Sequence, residues 1–195
     1  MKQTTYVLAT AVTSGPAREG SALVQDPQLV GEWSDARGER LVLRADSTFY
    51  TGTVDVPYWL LAGGQELNMN NRSTYTRLTG SDPASLLGRW RDATQGEELE
   101  YRLDGRYVDL LDGDPLVYFG VYLSDAAKVS SWEYRGVWST RLSQITLDSI
   151  FAIAETVTYS IHGDELTLGE VGSTRIYRRA PAPWMPLPVS TTERS

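Results

Sequence analysis

The sequence predicts an all-β protein, an antiparallel β-barrel with an internal repeat. Period-two alternation, turn chemistry between the alternating runs, and a Gly-x-Trp opening used twice carry that prediction. Glu98-Leu99-Glu100-Tyr101-Arg102-Leu103 alternates polar and apolar side chains, as a strand with one buried face does. Asp104-Gly105 follows, then Arg106-Tyr107-Val108-Asp109; Asp-Gly between such runs marks a hairpin, because both turn positions need positive φ. Leu41-Val42-Leu43 and Thr48-Phe49-Tyr50-Thr51 flank Asp46-Ser47 in the same way, and Thr156–Ile161 and Glu165–Leu168 flank His162-Gly163-Asp164. Short strands at this spacing build a barrel or a sandwich. The one helical candidate is Ser149-Ile150-Phe151-Ala152-Ile153-Ala154-Glu155, with Asp148 as its N-cap; it reads as a short helix in preference to a buried strand.

Leu29-Val30-Gly31-Glu32-Trp33 recurs as Leu86-Leu87-Gly88-Arg89-Trp90, and Gly64-Gln65-Glu66-Leu67 recurs as Gly163-Asp164-Glu165-Leu166. The copies span 29–78 and 86–179, joined at Gly80-Ser81-Asp82-Pro83. Both copies contributing to one closed barrel is favoured over a small sheet fused to a complete barrel, since closure removes exposed edges. One β-barrel domain over 29–180 is therefore expected, preceded by an N-terminal arm, residues 1–28. A Pro-rich tail, 181–195, follows; its prolines forbid a central strand or a helix. Trp184 and Met185 predict that the tail docks on the body.

Composition excludes several chemistries. The chain has 195 residues, a formal net charge of −7, no cysteine and one histidine. Disulfides, thiolate catalysis and cysteine metal sites are absent, and Asp109, Asp112 and Asp114 lack the spacing of a calcium loop. No metal and no cofactor is expected. An acidic chain without a Lys/Arg run is a poor partner for nucleic acid. Thr4, Thr5 and Thr10 dilute the first apolar run, so a secretory signal is not expected. Nor does any stretch have the length of a membrane helix. The expectation is a soluble, cytoplasmic protein with no membrane partner, and a homodimer is compatible with it. His162 beside a Gly-Asp turn reads as a surface residue, and no Ser/His/Asp machinery is evident.

The informative load is aromatic: six Trp and eleven Tyr against three Phe. Alternation places Trp132, Tyr134 and Trp138 on one face of a strand, Tyr118 and Tyr122 on one face of another, and Tyr159 between Val157 and Ile161 on a third. Glu133 and Arg135 fall on the opposite, solvent face. Aromatic side chains commonly do no more than fill a core, but barrels of eight or more strands can also hold a ligand. Tyr118, Tyr122, Trp132, Tyr134, Trp138 and Tyr159 are the candidate ligand-binding residues; no catalytic residue is assigned.

Gly88-x-Trp90 opening a strand, the Asp104-Gly105 hairpin and a closing hairpin that ends in Tyr177-Arg178 resemble the lipocalin-like (calycin) barrels. The resemblance covers 86–179 and, in shortened form, 29–78. It implies that Trp90 and Arg178 form a closed end, with Trp33 and Arg77 as the equivalent in the first copy, and that the barrel holds a small hydrophobic molecule. There is a looser similarity to calycin-like, cofactor-free cyclases of bacterial secondary metabolism. It implies a Diels-Alderase-type ring closure of a polyketide-like intermediate in natural-product biosynthesis, driven by preorganisation worth about 7–11 kcal/mol at best. The alternatives are a non-catalytic carrier of a hydrophobic ligand and an interaction or inhibitor module with a packed barrel, for which Trp59 would mark the exposed patch.

Overall fold

A computed structural model describes residues 25–92, 94–110, 117–125, 127–150, 152–170 and 172–186. The strands are β1 (Gly31–Asp35), β2 (Arg40–Leu43), β3 (Thr48–Leu61), β4 (Glu66–Met69), β5 (Ser73–Thr79), β6 (Gly88–Asp92) and β7 (Glu98–Tyr101). They continue as β8 (Arg106–Leu110), β9 (Val117–Ser124), β10 (Lys128–Arg141), β11 (Gln144–Ser149), β12 (Glu155–His162), β13 (Glu165–Glu170) and β14 (Ser173–Arg179). Every pairing is antiparallel, and the fourteen strands close into one ring through β1 and β14. The predicted hairpins are present: Asp104-Gly105 joins β7 to β8, and Gly163-Asp164 joins β12 to β13.

The ring is pinched. β3 and β10, each 14 residues long, pair with one another from Thr48↔Val137 to Pro57↔Lys128. The cross-pairing divides the ring into two circuits of eight strands, β1-β2-β3-β10-β11-β12-β13-β14 and β3 through β10. Each circuit encloses its own core. The first lobe buries Leu29, Trp33, Leu43, Trp138, Ile145 and Leu166; the second buries Tyr58, Leu67, Trp90, Leu99, Tyr101 and Tyr122. The repeat copies are thus interleaved, each supplying strands to both lobes.

Two bulges keep the ribbon's inner face continuous. Val56 pairs with Val129 and Thr53 with Ser131, so β3 spends two residues, Val54 and Asp55, where β10 spends one. Asp55 takes φ 55°, and its N–H is met by the Ser130 hydroxyl at 3.0 Å. Then Tyr134 pairs with Tyr50 while Gly136 pairs with Phe49, an extra residue in β10. Gly136 has φ 144°, and a Cβ there would lie 2.1 Å from the Asp148 carbonyl oxygen; only glycine fits. This second bulge inverts the alternation. Trp132 and Tyr134 fall on the outer face with Tyr50, and Trp138 falls on the inner face with Phe49, so the three do not share the single face that strict period two assigns them.

The arginines that cover Trp90 and Trp33 also differ from the expectation. Arg77 lies over Trp90, 4.1 Å from the ring centre, and Arg179 lies over Trp33 at 3.8 Å. Arg178 covers neither ring. The cause is topological: β6 neighbours β5, which carries Arg77, while β1 neighbours β14, where Trp33 pairs with Arg179 and Arg178 pairs with Ser34 on the outer row. Arg77 donates from Nε to Gly64 O (2.6 Å), from Nη1 to Leu87 O (3.0 Å) and from Nη2 to Ser85 O (2.7 Å), which ties two loops to the plug.

The segment 149–155 is not a helix. Ser149 ends β11, Ile150 and Ala152 are bends, and Glu155 opens β12. Its described residues only bridge two adjacent antiparallel strands, and Ile150, Ala152, Ile153 and Ala154 are left outside, Ile153 being 95% exposed. In the tail, Met185 docks against Val42 and Trp132, whereas Trp184 remains exposed. The Glu32 carboxylate holds this seam, accepting from Trp132 Nε1 at 2.8 Å and from the Met185 N–H at 2.9 Å. No helix among the described residues is long and apolar enough to cross a membrane.

Arg77→Met should lower unfolding stability by about 3 kcal/mol, because it strips charge-assisted bonds from three carbonyls together with a cation–π contact. Arg178→Met, on a side chain 79% exposed, should cost less than about 0.5 kcal/mol. Urea midpoints measure both, and equal losses would contradict the assignment of the plug.

Candidate functional site

The two lobes leave a waist. On one edge of β3, β2 pairs as far as Gly52 and β4 begins at Tyr58, with the Pro57 carbonyl taken by Asn70. Between them that edge has no strand beside it among the described residues. A cleft of about 520 Å³ opens here. Its apolar wall is the mouth of the first lobe: Leu41, Phe49, Leu147, Leu168 and Tyr177, with Ala152 and Ile153 at the rim. Its polar floor is the ribbon itself, with Thr51 and Thr53 from β3 and Ser131, Glu133 and Arg135 from β10. Tyr107 reaches in from the second lobe, and Glu39, Arg40, Glu155 and Arg175 complete the wall.

Charge is concentrated on this wall. Arg135 Nη2 lies 3.1 Å from Glu133 Oε2, and its Nε donates to the Thr51 hydroxyl at 2.8 Å. Arg175 pairs with Glu155 at 2.8 Å. Burial raises the Glu133 carboxyl above the ordinary carboxylate range, with Arg135 partly opposing it. Burial also raises the Tyr107 hydroxyl, and the Glu133 charge adds to that. Beside the cleft, Asp109 is pushed up to about 7, by burial first and then by the charges of Glu97 and Glu133 and a hydrogen bond shared with Glu97. Glu97 in turn accepts from the Tyr75 hydroxyl at 2.6 Å. Among the described residues no group of side chains is arranged to hold a metal ion.

The sequence-derived residues are dispersed. Tyr122 sits in the second core, 5.0 Å from the Tyr101 ring centre and edge-on to it, and donates to Arg102 O at 2.9 Å. Trp138 sits in the first core and donates to Arg44 O at 2.9 Å. Tyr159 packs against that core, and its hydroxyl donates to Asp26 Oδ2 at 2.9 Å. Trp132 lies under Met185 on the outer face, where Tyr134 contacts Phe119 and Tyr50 at 5.3 and 5.5 Å. Tyr118, in β9, pairs with Asp109 of β8; its side chain, like Asp112 and Asp114, lies outside the described residues. None of the five described side chains lines the cleft. Glu133 and Arg135, which alternation assigns to solvent, do line it. Their spacing gives no cue to this, because it is the return of the sheet at the waist that covers them.

Comparison of the chain with protein-family models, with curated proteins and with solved structures gave no match.

Asp109 binds its proton more tightly in the folded chain than at the ordinary value of 3.8. Folding therefore takes up a proton between about pH 4 and pH 7, and ionisation of this group costs stability as pH rises through that window. Asp109→Asn should be more stable than the parent at about pH 8 and should lose less stability across the window. Urea midpoints at stepped pH measure this, and parallel curves for the two proteins would contradict it.

Proposed function

We propose that the waist cleft binds a small amphipathic molecule, and that each lobe is a lipocalin-like barrel closed at one end by its Trp–Arg plug. The observation that carries this reading is the two-sided wall, in which an apolar lobe mouth faces a ribbon of hydroxyls and charges across one cavity. Ligand sites are commonly clefts of about 300–1,000 Å³ with apolar walls and a few polar groups that fix orientation. The lobe interiors offer less. In the second lobe Tyr101 packs on Tyr107 and Tyr122, and the polar tips of Tyr122 and Trp138 are already bonded to the backbone, as buried aromatic side chains require. The ligand-binding and carrier expectation therefore moves from the barrel interior to the waist.

One observation favours a catalytic version of the same reading. Tyr107 and Tyr177 line the cleft, and burial shifts Glu133 toward its protonated form. Such donors could polarise a carbonyl of a bound polyketide-like substrate, the chemistry of a cofactor-free cyclase that works mainly by holding one conformer.

N-phenyl-1-naphthylamine, whose emission rises in apolar sites, should bind the purified protein saturably. Ser131→Trp, which places an indole on the cleft floor, should weaken that binding by at least about tenfold while keeping the β-sheet circular dichroism. Binding that never saturates, or that survives Ser131→Trp unchanged, would overturn the site. Mass spectrometry of polyene mixtures incubated with the protein separates the two versions, since a same-mass isomer marks a cyclase and unchanged compound marks a carrier.

A further inference from the structure

Arg40 is the anomaly of the waist. It is 4% exposed, it belongs to the cleft wall, and its Nε and Nη1 have no hydrogen-bond partner among the described residues. The other arginine buried among the described residues, Arg77, spends its guanidinium on three carbonyls and an indole. Arg40 opens β2 beside Gly52, where the neighbouring edge of β3 is bare. An arginine cannot shed its charge, so a guanidinium out of water calls for an acceptor.

The carboxylates of the cleft do not supply one. Glu133 is engaged by Arg135 through Oε2, its buried Oε1 being left without a hydrogen-bond partner, and Glu155 is engaged by Arg175, while Glu39 stands exposed to solvent. Burial further disfavours the charged form of Glu133, which lessens its repulsion of an incoming anion. The paired charges cancel, and the buried charge left over is positive. Beside it lies the apolar wall of Leu41 and Phe49.

We propose that Arg40 anchors an oxyanion of the ligand, so that the molecule taken by the cleft is an amphipathic carboxylate. This inference rests on the cleft being the binding site. A carboxylate accepts two parallel N–H bonds from a guanidinium, a geometry that a neutral alcohol of the same chain cannot reproduce.

The test is displacement of N-phenyl-1-naphthylamine by decanoate and by 1-decanol, which share one chain and differ at the head group. Decanoate should displace the dye at a concentration at least about tenfold lower than decanol. Arg40→Met should abolish that preference while the dye still binds, and Arg178→Gln, on the outer face of β14, should leave it intact. Equal displacement by decanoate and decanol in the parent overturns the carboxylate anchor, as does a preference that survives Arg40→Met. If Arg40→Met loses its β-sheet signal, Arg40→Gln is read the same way, and the parent's own preference is decisive without either variant. Failure of the dye to bind at all overturns the cleft instead, a result distinct from equal displacement.

Discussion

The structure depends on the pairing of β3 with β10. Each is 14 residues long, more than twice the usual strand of about 5–6 residues, because each must serve two lobes in succession. On β3, β2 and β4 occupy one edge in succession, with the waist between them; on β10, β9 and β11 also occupy one edge in succession. Without this ribbon the fourteen strands would form one wide ring, and a ring of that size could not be filled by its own side chains. The cross-pairing replaces it with two circuits of eight, a size that side chains do fill. The bulges at Asp55 and Gly136 are the adjustment that lets one ribbon present a continuous inner face to both.

The waist follows from the same constraint. Arg179, which covers Trp33, reaches the Val30 carbonyl at 3.0 Å, in the segment entering β1, while the cleft opens at the opposite end of β1, beside Glu39 and Arg40. Polar side chains that would be outward on an isolated sheet are half-buried where the lobes return on the ribbon. That placement is costly to the fold, since partly desolvated charges seldom add net stability. Glu133, Asp109 and Arg40 carry this cost in one region. Such local departures from what stability alone would select are the usual mark of a working site.

Much of the architecture was legible in the sequence, and the reasons are local. Asp104-Gly105 and Gly163-Asp164 specify hairpins through their backbone needs, and the doubled Gly-x-Trp gives away two plugs. What covers each tryptophan is not local. Arg77 and Arg179 are chosen by which strands become neighbours, and Arg178, one residue away, points outward by parity. Parity also hid the site. The bulge at Gly136 separates Trp132 from Trp138, and the apolar run 149–155 resembles a buried helix because nothing in its composition says that it ends at a rim. One cue was available: Arg40 heads the run Arg40-Leu41-Val42-Leu43, all four of which are buried, and a charge at the head of a buried run asks for a partner.

The claim that the waist is the working site can be read directly from amide hydrogen exchange of the protein with and without saturating N-phenyl-1-naphthylamine. Exchange should slow at Ala152 and Ile153 on the rim and at Glu39, which line the cleft, with the far loops 62–65 and 80–87 unchanged. Slowing confined to the strands around Tyr122 or Trp138, with the rim unaffected, would place the ligand inside a lobe and contradict the account.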